Sequence, residues 1–269
     1  MTGKKVLYVS SEVIPYLPNN DISTLTYNLP KVVNKNGGQT RIFIPKYGLI
    51  NERRHQLHEV IRLSGMNLII DDLDMPLIIK VASIPKERMQ VYFIDNDEYF
   101  KNRLLDSDKK KKLYDDNDER AIFFAKGVVE TIKKLNWTPD IIHVHGWIAS
   151  LMPLYLKQYY KDEPLFSKSK VVTSIYDNEI TGELNSSIIN KIKFDEVESE
   201  TLSVLENPTY ENLYKLSIMN SDGVVFASEN VNKSYLDVAA SSKIPVLKCG
   251  FEDGFEKKYM EFYNDKILT

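Results

Sequence analysis

Four carboxylates stand where open α/β sheets tend to work. Glu12, Asp95, Asp177 and Glu179 each follow a short apolar run that reads as a strand, and such sheets bind ligands in the crevice outside their C-terminal strand ends. Spacing alone does not say which of them meet, so acid–base work by a pair stays open. His143 and His145 lie two apart in another such run, which turns both imidazoles to one face. A pair of this kind can hold a metal or can line a core or cleft; we expect the second and no metal. His55 and His58, three apart in a stretch with few helix signals, are expected on the surface. Cys249 is the single cysteine, so neither an intrachain disulfide nor a thiolate cluster can form. There is no glycine-rich nucleotide fingerprint, P-loop or nucleophile elbow, and no cofactor is expected.

The elements that must position these groups alternate. Strand-like runs fall at 6–9, 41–44, 77–81, 91–94, 141–144, 171–175 and 224–227, and helical patterns at 22–36, 119–135, 148–160, 210–220 and 229–240. In the first helix Ile22, Leu25, Leu29, Val32 and Val33 recur at three and four, Gly37-Gly38 stops the pattern, and Pro30 sits inside it. This rhythm predicts an α/β, Rossmann-like, doubly wound and mainly parallel sheet. Residues 55–84 interrupt it with strand-like pieces, as a hairpin insertion at one sheet edge would. Tyr155, Tyr159 and Tyr160 are spaced for ordinary core or rim packing.

Composition narrows the class. Of 269 residues 43% are hydrophobic and 11% aromatic, enough for a buried core. A formal net charge of −3 gives no electrostatic reason to expect nucleic acid or a membrane as partner. The run Val6 to Val9 is too short for a signal core or a membrane span, and a reducing, cytoplasmic setting is expected. Lys109 to Lys112, flanked by aspartates, reads as a solvated loop.

Several strings then look familiar together: KVLYVSSEVIPY at 5–16, LPKVV at 29–33, PKYGLI at 45–50, VYFIDNDEYF at 91–100, YDDNDERAIFFAKG at 114–127, WTPDIIHVHGWIASLMPLYLK at 137–157 and SDGVVFAS at 221–228. In this order they resemble the amino-terminal half of bacterial and plant glycogen/starch synthases. The resemblance implies one Rossmann-like half of a GT-B glycosyltransferase, a family that moves glucose from ADP-glucose to the end of an α-1,4-glucan. It also implies a second half, bearing the nucleotide grip and catalytic cations, that would begin near Thr269. Residues 1–269 are therefore expected to form a single domain, with no second GT-B domain in this chain.

Three departures from the family pattern bear on chemistry. Where the family carries Lys-x-Gly-Gly for the donor phosphates, this chain has Pro18, Asn19, Asn20 and Asp21. Asp21 is expected to cap the following helix and to place a fixed anion where phosphate would sit. Where the family has His-Asp-Trp-His, the chain reads His145-Gly146-Trp147-Ile148, and where it has His-Asn the chain reads Tyr176-Asp177, followed by Asn178 and Glu179. Tyrosine cannot stand in for an imidazole at neutral pH. Retained residues, among them Ser10, Ser11, Pro15, Tyr99, Asn117, Glu119 and Arg120, are expected to hold loops in shape.

The expectation is a glycogen-synthase-like half-domain that is non-catalytic alone. No residue is assigned as catalytic, and Glu12, Tyr16, Asn96, His145, Trp147, Tyr176 and Asp177 are the cleft or sugar-binding candidates. The partners implied are a sugar, a sugar nucleotide or an α-glucan, with a homodimer or a separate glycosyltransferase subunit as protein partner. The alternative is glucosyl transfer that occurs only with that separate half.

Overall fold

The computed structural model describes residues 1–87, 89–177 and 180–269; Asn178 and Glu179 lie outside the described residues. The strands are β1 (Lys5–Ser10), β2 (Gln39–Pro45), β3 (His58–Glu59), β4 (Met66–Ile70), β5 (Leu73–Ile84), β6 (Met89–Asp95), β7 (Ile141–His145), β8 (Lys170–Ile175), β9 (Gly223–Phe226) and β10 (Val246–Lys248). The helices are α1 (Asp21–Lys35), α2 (Glu52–His55), α3 (Asn117–Leu135), α4 (Met152–Lys157), α5 (Ile188–Phe194), α6 (Tyr210–Met219), α7 (Lys233–Ser242) and α8 (Phe255–Phe262), the last running into a π-helical turn at Tyr263–Ile267.

The sheet order is β10-β9-β8-β7-β1-β2-β6-β5-β3, with β4 paired to β5. From β10 through β6 every pairing is parallel, and β5 runs antiparallel to β6, β4 and β3. This is the expected doubly wound α/β architecture. β1 and β7 are central and almost wholly buried, which is why β1 reads as a continuous apolar run from Val6 to Val9, while β7 interrupts its run with the buried imidazoles of His143 and His145. Their neighbours diverge: the chain leaves β1 toward β2 and β6, then returns to place β7 on the other side of β1. The switch point lies between these two strands.

α1 buries Ile22, Leu25, Leu29, Val32 and Val33 and runs on through Pro30. It ends where Gly37 takes φ +79° and where a Cβ on Gly38 would lie 2.5 Å from Val33 Cγ1. The helix expected at 148–160 is a 3-10 turn at Trp147–Ala149 followed by the shorter α4; Pro153 favours the first turn of a helix and not its interior. The helix expected at 229–240 starts at Lys233, behind Asn232, whose side chain accepts from Ser234 N. In the 55–84 region β3, β4 and β5 build the sheet edge, and His55 ends the four-residue α2, where few helix signals were read. The lysines at 109–112 are exposed.

Two buried ion pairs fasten α5 to α3. Lys126 bonds Asp195, which also accepts from Tyr155 Oη at 2.7 Å, and Lys191 lies 2.8 Å from Asp118 and 2.6 Å from Glu119. α8 and its π-helical turn bury Tyr259 and Tyr263. Ile267 lies over Gly223, where an added Cβ would meet its Cδ1 at 2.4 Å. The amino group of Met1 reaches Asn264 Oδ1 at 3.3 Å, which ties the segment before β1 to the π-helical turn after α8. No helix among the described residues is long and apolar enough to cross a membrane.

Candidate functional site

The crevice is built by the loops that leave β1 and β7. Ser10 and His145 are register partners at the ends of these strands, and Ser11 N donates to His145 O at 2.9 Å, so the two loops start stitched together. Gly146 turns the β7 loop with φ +81° and ψ 166°, a region essentially confined to glycine. A Cβ there would lie 2.2 Å from Ser11 Oγ. The loop from β1 has closed onto the bare glycine.

Glu12 is 5% exposed and accepts from Asn20 Nδ2 at 2.7 Å. Burial raises its carboxyl above the ordinary range, the Asn20 bond offsets this in part, and Asp106 adds repulsion. Asn20 is also the N-cap of α1. Its Oδ1 accepts from Ser23 N at 2.8 Å, and its own N–H donates to Ser23 Oγ at 2.9 Å, a reciprocal capping box. The cap expected at Asp21 is therefore corrected: Asp21 is the first residue inside the helix and is exposed. The physical reason is Ser23, whose hydroxyl stands three residues after Asn20 and closes the box on it.

His145 is fully buried, and its Nδ1 lies 2.7 Å from Tyr176 Oη. Its Nε2 has no hydrogen-bond partner among the described residues. His143 commits both ring nitrogens, Nδ1 to Tyr263 Oη at 2.6 Å and Nε2 to Ser174 Oγ at 2.7 Å, and the two imidazoles are 4.0 Å apart. Burial lowers His145 to about 3, and burial with the neighbouring ring lowers His143 well below its usual value. Both rings are neutral near pH 7. Among the described residues no group of three or more His, Cys, Asp or Glu converges as a metal site would require.

On the other side of the crevice floor Trp147 packs edge-to-face on Tyr210 with centroids 5.5 Å apart. Asn117 Nδ2 donates to Tyr210 Oη at 2.6 Å, and its Oδ1 accepts from Arg120 at 2.6 Å. Arg120 is fully buried and also donates to Tyr99 O and Leu104 O at 3.0 and 2.9 Å, so its guanidinium fixes the 96–116 loop.

The remaining candidates are dispersed. Tyr16 packs against His55 and Phe93 with centroids 4.9 and 5.0 Å apart. Asn96 donates to Pro76 O at 2.9 Å and accepts from the N–H groups of Glu98 and Tyr99, which commits it to its own loop. Asp95 is buried against Lys80 at 2.8 Å, and Lys80 also holds Glu52. Asp177 is exposed, its N–H donating to Ser228 Oγ at 3.1 Å. Ser228 leads into a groove of about 400 Å³ at the C-terminal ends of β9 and β10, lined also by Glu229, Lys248 and Cys249. Among the described residues no hydrogen bond joins Glu12, Asp95 and Asp177 to one another.

Sequence reasoning passed over Asn20 and Tyr210. The spacing Asn-x-x-Ser was a signal for the first. Tyr210 has none, since its partners Trp147 and Asn117 come from distant elements.

With this geometry in place the relationships are plain. The profile of the starch synthase catalytic domain matches residues 5–240, and the chain belongs to that family. It is 35% identical over 253 residues to a glycogen synthase of Chlorobium luteolum, covering 92% of this chain and 49% of the relative. It is also 35% identical over 270 residues to a glycogen synthase of Chlorobium limicola, covering 98% and 55%. The chain thus spans about half the length of the curated relatives it matches. The catalytic domain of starch synthase IV from Arabidopsis thaliana, solved with ADP and acarbose, has the same fold over 93% of this chain and 52% of that one, with a TM-score of 0.73 at 16% identity.

Proposed function

We propose that this chain is a glycogen-synthase-type half-domain that contacts a sugar or an α-glucan and does not transfer glucose by itself. One observation carries the reading: His145 is sealed from solvent by Tyr176 and left neutral. No imidazole is free at this point to meet a sugar. Two further features support it. The capping box at Asn20 already occupies N–H groups at the start of α1, the element that would otherwise receive a diphosphate. The closed Ser11–Gly146 contact leaves no room for a carboxylate at 146.

Glucosyl transfer needs charge stabilisation around a departing diphosphate, and the loop at 18–21 offers Asp21 in place of a cation. Incubating the pure chain with ADP-glucose and glycogen is expected to release no ADP above the enzyme-free rate. Steady release proportional to protein concentration would end this reading.

A second reading, transfer in company with a separate glycosyltransferase subunit, is favoured by the Arg120 network, which keeps the 96–116 loop in shape. Purification from native cells would then bring down a second glycosyltransferase-like chain. A single species without one would count against it.

A further inference from the structure

Two grooves adjoin at the N-terminal ends of β8, β9 and β10, whereas the crevice lies at the C-terminal ends of the parallel strands. The first, about 310 Å³, runs from the end of α4 to the start of β8, and the second, about 530 Å³, continues past the starts of β9 and β10 to the π-helical turn. Lys157, Lys170 and Asp222 line both. Lys161 and Lys168 complete the charge of the first, and Lys243 and Lys266 that of the second. Six ammonium groups thus gather around one acidic side chain, in a chain whose formal net charge is −3. We propose that these joined grooves bind a compact anion bearing two or more linked phosphate groups. The site is separate from the crevice, and the inference is independent of the reading given above.

The positive charge is not spent internally. Asp222 Oδ2 accepts from Val171 N at 2.8 Å, and its Oδ1 lies 3.5 Å from Lys157 Nζ, so the one shared carboxylate fixes the start of β8 and a single lysine. Among the described residues the other five lysines of the grooves form no ion pair, unlike Lys126 and Lys191, each matched to a buried carboxylate. Even with the α-carboxylate of Thr269, which lines the second groove, counted against them, the lysines leave an excess of positive charge. Like charges collected in one place repel, and a multiply charged anion seated between them relieves that repulsion.

The lining selects the class of ligand. Among the described residues no arginine borders either groove, so the planar fork that reads a carboxylate is missing, and ammonium point charges favour charge density instead. A phosphate group, with roughly −1.5 to −2 charge at pH 7, supplies it. A neutral saccharide finds few donors, because Ser167 Oγ and Ser169 Oγ already donate to Pro164 O at 2.9 Å and Pro139 O at 2.6 Å. Tyr160 and Phe166 are buried, which leaves no ring on which a sugar or a nucleobase could stack. Met219 is the one exposed large hydrophobic residue in the described lining, too little to anchor a protein partner or a membrane. Both volumes lie within the ordinary range for small-ligand sites.

The test is calorimetric titration of the full chain with inorganic tripolyphosphate at low salt. Wild type is expected to bind saturably, and more weakly as salt is added. Lys170→Gln/Lys266→Gln should bind about tenfold or more weakly, and Lys170→Arg/Lys266→Arg, which keeps the charge, should retain binding. Lys109→Gln/Lys110→Gln removes the same charge from the exposed lysine loop and should bind as wild type. Matching thermal melts establish that the variants are folded. No binding by wild type, or equal weakening by the two glutamine pairs, overturns the site, the second because it marks diffuse attraction. Binding to vesicles containing phosphatidylserine without binding to tripolyphosphate also overturns it, in favour of a membrane surface. None of these results depends on ADP release, which tests the crevice reading separately.

Discussion

The hydroxyl of Tyr176 sits 2.7 Å from Nδ1 of His145, and neither side chain is open to water. A polar pair buried this deeply is worth more in the breaking than in the making, because the abandoned group keeps its full desolvation cost. Tyr176→Phe should therefore lower unfolding stability by roughly 1–3 kcal/mol, measured by urea titration. A change near zero would mean that His145 Nδ1 finds another partner.

Gly146→Asp restores the family's residue type at that position. It is expected to destabilise the chain, because the backbone region at 146 costs a non-glycine residue about 1–3 kcal/mol before any clash, and Ser11 Oγ lies where the new Cβ must go. Thermal melts should show the loss, and ADP release should stay at background. A variant as stable as wild type would show that the β1 loop yields readily.

The two buried imidazoles give stability a pH slope of defined sign. His145 has its folded value near 3 against an ordinary 6.5. The unfolded chain therefore takes up a proton below about 6.5 that the folded chain refuses. This contribution is fully present above 6.5 and is lost as pH falls toward 3. The raised carboxyls of Glu12 and Asp95 act oppositely, favouring the folded state at low pH and losing that contribution as pH rises through their folded values. Imidazole nitrogen shifts should report neutral His143 and His145 from about pH 7 down to about pH 5, and a ring that protonates near pH 6 would contradict the sealed geometry.

Lys126→Ala leaves Asp195 buried without its cation. Removing one partner of such a pair costs roughly 3–5 kcal/mol. The paired apolar replacement Lys126→Met with Asp195→Leu should cost less than the single change, and a double-mutant cycle on chemical unfolding measures the difference.

Much of this fold was legible because its central strands are covered on both faces. Runs such as Val6 to Val9 and Val171 to Val172 are apolar for that reason, and α1 announced itself through its three-and-four spacing. The capping residue was misplaced by one position, since Asn and Asp are equally good caps and only Ser23 decides between them. α8 went unread although Phe255, Tyr259, Met260 and Tyr263 recur at helical spacing; what no local pattern carries is that Tyr263, in the turn after it, bonds His143, 120 residues away. The pair Lys126 and Asp195, 69 residues apart, was invisible for the same reason. The losses around the crevice were visible as residue types; that Tyr176 fills the space by bonding His145 required coordinates.

The contact between Met1 and Asn264 sets the direction in which anything attached to this molecule would point. Met1 precedes β1 at the end of that strand opposite Ser10, so a tether, a fluorophore or an immobilising surface joined there leaves the loops after β1 and β7 unobstructed.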